Sequence, residues 1–171
     1  MSYLTQKTIK KKVHFSGVGL HTGLDVNICI NPAEPNYGIV FKRVDLKNNN
    51  LVYPNFMNVT NTSLNTTVEN EFGVKVSTIE HLMGALYGVG VDNAIIEIDC
   101  KEVPIMDGSA KIFFDKLRKN KIITQNTKRK YLKILEQYTF FDKERKLSIE
   151  PSNSLKIDFQ LKYKNKIIGN Q

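Results

Sequence analysis

The sequence predicts an α+β fold, and three observations carry that prediction. Several short runs alternate polar and apolar residues at period two, as half-buried strands do. Two other segments, residues 77–87 and 109–120, space their apolar residues as helices do. The composition, 41% hydrophobic and 25% charged over 171 residues, is that of a globular chain with one proper core and part of a second domain.

Residues 5–15 alternate loosely, as on an exposed strand. GVGLHTG follows, then DVNICI, whose Val26, Ile28 and Ile30 share one face. The glycines at 17, 19 and 23 do not make a nucleotide loop. The dinucleotide fingerprint is GxGxxG opening a helix, whereas here GxGxxxG leads into another strand. A hairpin connection with glycines at positive φ accounts for it better. That connection carries His21, where a side chain is free to face a ligand, although a lone loop histidine is also an ordinary surface residue. NPAEPNYG is a turn, GIVFKRVDL a strand, and KNNNLVYPN a loop punctuated by proline and asparagine. NTSLNTTVENEFGVKVS reads as a short β-hairpin, its Thr and Val favouring extended structure.

In the first helix Ile79, Leu82, Met83, Leu86 and Val89 recur at helical spacing, and Gly88 and Gly90 end it. NAIIEIDC is a buried-looking strand and KEVPIMDGSA a turn-rich connection. The second helix turns Ile112, Phe113 and Leu117 inward. KIITQNTKRK then shifts to a polar, basic composition and reads as a linker centred near Asn126, which sets domains at 1–126 and 127–171. Beyond it, YLKILEQYTFF, KLSIEPS and LKIDFQLKY are strand-like with no helix to cover them. Residues 127–171 therefore read as the opening strands of an incomplete second domain.

Bulk properties narrow the function. No apolar run approaches the roughly 20 residues of a membrane span, and the basic start lacks the apolar segment of a secretory signal. A cytoplasmic protein is the default. Cys29 and Cys100 are too few for a disulfide scaffold and lack metal-motif spacing, so they read as buried free thiols. The net charge is +8, and residues 111–146 hold twelve Lys or Arg against four Asp or Glu. A solvated surface explains that charge. The alternative is a non-catalytic basic α+β module for RNA or a protein partner. The chain has no aromatic-and-basic recognition motif, so nucleic acid is not expected.

The chemistry concentrates in VSTIEHLMGAL, residues 76–86, which sets Glu80 beside His81. Ser77 and Glu80 have capping-box spacing, which would occupy the glutamate with its own helix start. Neighbouring helical side chains diverge by roughly 100°, so the pair cannot both ligate one metal from one stripe. One could ligate while the other holds a metal-bound water. A catalytic zinc takes three protein ligands and an open position. The two other histidines, His14 and His21, lack ligand spacing with His81.

GVGLHTG, GIVFKRVDL, VSTIEHLMGALYGVGVDN and EVPIMDGSA, in this order and at similar separations, resemble the UDP-3-O-acyl-N-acetylglucosamine deacetylase family. Those enzymes are zinc amidohydrolases of lipid A synthesis in Gram-negative bacteria. The resemblance runs from about residue 6 to residue 171 and is looser from KLSIEPSNSLKIDFQLKY onward. It implies Zn2+ as cofactor, His81 as one zinc ligand and Glu80 as general base. It also implies substrate contacts at Leu20, His21, Thr62 and Leu64. The substrate would be UDP-3-O-acyl-N-acetylglucosamine, with peripheral contact at the inner membrane. Asp107 matches a family position but also sits in an ordinary Asp-Gly turn. The implied fold is a β-α-α-β sandwich of two similar domains packed helix layer to helix layer, this chain holding the first domain and the start of the second. The family's remaining zinc ligands, in an HKxxD-type motif, have no counterpart in residues 1–171. The chain alone is therefore expected to be inactive, with the apolar faces of the helices at 77–88 and 109–119 exposed.

Overall fold

The computed structural model describes residues 4–171. It divides into two compact units, one ending at Arg129 and the other formed by Lys130–Gln171.

The first unit is built on a five-stranded sheet. Its strands are β2 (Val13–Val18), β3 (Asp25–Pro32), β4 (Ile39–Arg43), β5 (Leu51–Val52) and β9 (Ala94–Ile98), in the order β2-β3-β9-β4-β5. Pairing is antiparallel except between β4 and β9, where Phe41 stands beside Ile96. Period-two patterning decides which face is covered. Val26, Ile28 and Ile30 of β3 and Ala94, Ile96 and Ile98 of β9 are buried, while Asn27 stays exposed and Glu97 half-buried between them. β1 (Thr5–Ile9) pairs with β10 (Ile122–Lys128) as a separate ribbon. A third, smaller sheet joins β6 (Val59–Asn61), β7 (Thr67–Glu69) and β8 (Lys75–Val76).

Two helices close the core, α1 (Glu80–Val89) and α2 (Lys111–Lys119). Leu82, Ala85 and Leu86 of α1 and Phe113 and Leu117 of α2 join the sheet residues in one buried cluster. Phe113 reaches β2, its ring centroid 4.9 Å from that of Phe15. The helices approach closely at Gly88, where a Cβ would lie 3.2 Å from the Phe114 ring. Gly90, at φ 79°, ends α1, its amide donating to the carbonyls of Leu86 and Tyr87; a left-handed residue at that place is tolerated by glycine.

The α+β class stands, and several details differ from the sequence reading. Residues 5–15 hold two strands, and Ile9, Val13 and Phe15 are buried rather than exposed. The segment read as a linker near Asn126 is strand β10, because its backbone completes the ribbon with β1 and Gln125 turns inward to bond Ala33 and Asn93. The two compact units meet after Arg129. The apolar faces of the helices are covered by their own sheet and by each other, and the large apolar residues they leave at the surface are Tyr87 and Ile112. Ile112, expected inward, is thus on the surface. Cys100 is buried and Cys29 only half-buried; both are free. Burial, then the nearby Glu97 carboxylate, push the Cys29 thiol above its usual range.

In the second unit β11 (Tyr138–Asp142) and β12 (Arg145–Ile149) form an antiparallel hairpin with Phe140 opposite Leu147. LKIDFQLKY, read as a third strand, contributes an isolated bridge from Lys162 to Asn170.

Candidate active site

The start of α1 carries Glu80 and His81, the pair singled out in the sequence. Glu80 is exposed at the first helical position, and His81 beside it is half-buried. The capping box is absent. The residue preceding the helix is Ile79, which makes no side-chain cap, and the Ser77 hydroxyl donates to the carbonyl of Lys101 at 3.2 Å. Ser77 is drawn away because its backbone bridges the segment 101–103: its amide donates to Lys101 O and its carbonyl accepts from the Val103 amide. Glu80 is thereby released from the helix start. Its Oε2 instead accepts from the amide of Thr66 at 3.1 Å. A carboxylate has about four acceptor positions, so this single bond orients Glu80 without exhausting it.

The same bond brings the segment carrying Thr62 and Leu64 to the helix. Ile79 adds to it, its amide donating to Thr66 O at 3.5 Å. Thr62 and Leu64 themselves project into solvent, Leu64 being 90% exposed at φ 66°.

The connection between β2 and β3 arrives from the other side. Leu20 and His21 are exposed on it. Of its glycines, Gly23 has a positive φ, 65°. Gly19 is required for a different reason: a Cβ there would lie 2.3 Å from Thr22 Oγ1 and 2.5 Å from Glu102 Oε2. His14 stands elsewhere, on β2, its Nε2 3.7 Å from the Cys29 sulfur.

Glu102 is the residue that the sequence reading missed. It is fully buried. Its Oε1 accepts from the His21 amide at 3.0 Å and from the Thr78 hydroxyl at 2.8 Å, and its Oε2 accepts from the Thr22 amide at 2.8 Å. Burial pushes its carboxyl upward, but the His21 amide, with Thr22 and Thr78, outweighs that and holds it below the ordinary glutamate range. No signal in KEVPIMDGSA sets this glutamate apart, because its partners lie 24 and about 80 residues earlier in the chain. Asp107, in the same segment, is an exposed turn residue that accepts from the Ser109 amide and hydroxyl; the Ser109 bonds hold its carboxyl below the usual range.

Among the described residues no three His, Cys, Asp or Glu side chains converge as a metal site requires. His81 is a single candidate ligand. No described helix is long and apolar enough to cross a membrane.

The LpxC family model, UDP-3-O-acyl N-acetylglycosamine deacetylase, matches residues 6–171. A UDP-3-O-acyl-N-acetylglucosamine deacetylase of Citrifermentans bemidjiense is 43% identical over 166 residues, covering 97% of this chain and 54% of that protein. One from Haemophilus influenzae (strain PittEE) is 41% identical over 167 residues, again 97% and 54%. One from Shewanella frigidimarina is 42% identical over 158 residues, 92% and 52%. The chain thus spans about half the length of the curated relatives it matches, and it belongs to the UDP-3-O-acyl N-acetylglycosamine deacetylase family.

Proposed function

We propose that this chain supplies the general base and one metal ligand of a zinc-dependent deacetylase. The enzyme would remove the N-acetyl group of UDP-3-O-acyl-N-acetylglucosamine during lipid A synthesis in a Gram-negative bacterium. The work would take place in the cytoplasm, with peripheral contact at the inner membrane. The observation that carries the reading is Glu80, exposed at the first position of α1, free of any capping duty and beside a half-buried imidazole.

Bound zinc would polarise the attacking water and the acetamide carbonyl. Glu80 would accept the proton of the attacking water, a proton that the departing amine must regain as the C–N bond breaks, and the Thr66 amide would hold the carboxylate in one direction. His81 offers a ring nitrogen from the adjacent helical position. Leu20 and His21 on one side, and Thr62 and Leu64 on the other, border the substrate. The remaining ligands would come from residues other than these 171. Residues 1–171 alone are accordingly expected to bind zinc weakly and to release no acetate above background.

The test uses the full-length protein. Glu80→Gln should lower kcat for acetate release by about two to four orders of magnitude, the span of a general base, while zinc content stays stoichiometric. His81→Ala should lose the metal. Acetate release at the wild-type rate from Glu80→Gln would remove the reading.

A further inference from the structure

Three features converge on Glu102. Its carboxylate is fully buried, and none of the described ion pairs includes it. A buried charge without a cation persists only where hydrogen bonds replace its water. Here two backbone amides and a hydroxyl do so. The second feature is Thr78, buried with φ 57°. A β-branched residue in the left-handed region is a true outlier, held there only because its surroundings over-determine it. Its hydroxyl bond to Glu102, at 2.8 Å, is part of that hold. The third is Gly19, whose missing side chain leaves the space that the Glu102 carboxylate occupies.

We propose that Glu102 is the positioning residue of this site, clamping the His21 loop to Thr78 and so fixing how Glu80 and His81 leave the start of α1. The clamp joins the two halves of the candidate site. One carboxylate oxygen receives both the loop, through the His21 amide, and the helix approach, through the Thr78 hydroxyl. Thr78 lies two residues before Glu80, so a change in its φ would redirect the first turn of the helix. Glu102 itself is fully buried and acts through Thr78 and the His21 loop. Its chemical role rests on the deacetylase reading; its mechanical role does not.

The two roles separate experimentally in the full-length protein. Glu102→Gln keeps the size but replaces an acceptor by a donor facing the loop amides. The expected result is at least a roughly tenfold rise in hydrogen exchange at the His21 and Thr22 amides, as for loss of a charge-assisted bond. Ile28 and Ile96 in the sheet should be unchanged. KM should rise and kcat should fall, because both halves are released. Thr78→Val keeps the branched shape and loses only the hydroxyl. It should lower kcat with KM within about twofold, whereas Thr78→Ser should stay near wild type. If Glu102→Gln does not fold, the Thr78 pair decides: equal kinetics for Val and Ser would overturn the proposal. In a folded Glu102→Gln protein, unchanged exchange at His21 and Thr22, or exchange raised equally throughout the sheet, would overturn it as well. Failure of Glu80→Gln to reduce turnover would remove the deacetylase reading and leave the exchange result standing.

Discussion

The two units of this chain carry similar strand patterns and treat them differently. In the first, Val26, Ile28 and Ile30 alternate with polar neighbours, and all three are buried. In the second, Tyr138, Phe140, Leu147 and Ile149 lie on paired strands of equal regularity, and every residue of both strands is exposed. The difference is a covering layer. The first unit places α1 and α2 over its sheet, whereas none of the described residues of the second unit lies in a helix. Alternation specifies which face a strand offers; it does not supply anything to bury that face against. The candidate site follows the same division, for Glu80, His81, Glu102 and His21 all sit in the unit that owns a core.

Substitutions in the two units should therefore differ in size. The largest effect is expected from Phe113→Ala, which removes a fully buried ring packed on Phe15. It should cost about 3–5 kcal/mol in denaturant unfolding of the first unit. A cost under about 1 kcal/mol would mean that the core is not closed by α2. Next comes Gly19→Ala, whose new Cβ would press on Thr22 Oγ1 and the Glu102 carboxylate. Overpacking of this kind should cost about 1–3 kcal/mol, with the loss accompanied by faster exchange at the Thr22 amide.

A pH titration refines the contrast. The Glu102 carboxyl is lowered in the folded state, so its contribution is fully present above the ordinary glutamate value of about 4.3. That contribution is lost as the pH falls through the lower folded value. Unfolding measured from neutral to acid pH should thus show a steeper acid limb for the wild type than for Glu102→Gln. Parallel limbs would show that the carboxylate is not the group being titrated. The smallest effect is expected in the hairpin, where Phe140→Ala should change unfolding of the first unit by no more than about 0.5 kcal/mol. A larger loss there would erase the distinction between the units.

Much of the first unit was legible in the residues. Period two marked β3, a buried-looking run marked β9, helical spacing marked α1 and α2, and of the two glycines read as ending α1 it is Gly90 that does so, Gly88 lying within the helix. Those signals are local, and local geometry answers them. Errors arose where a longer-range partner overruled the local rule. Gln125 reads as linker, yet its side chain donates to Ala33 O and accepts from the Asn93 amide group, inside a ribbon paired with β1. Ser77 has the spacing of a capping residue, yet the bridge to Glu102 takes it first.

The adjacency of Glu80 and His81 and the family motifs around them were written in the chain, because consecutive residues need no fold to be neighbours. Whether Glu80 caps its helix or faces outward was not, since that depends on where Ser77 finds its partners. Glu102 marks the limit most clearly. Nothing near it in sequence distinguishes it from a surface glutamate, and folding turns it into the buried acceptor joining residues 21, 22 and 78. A hydrogen bond is decided by distance in space, and that distance exists only once the strands have paired.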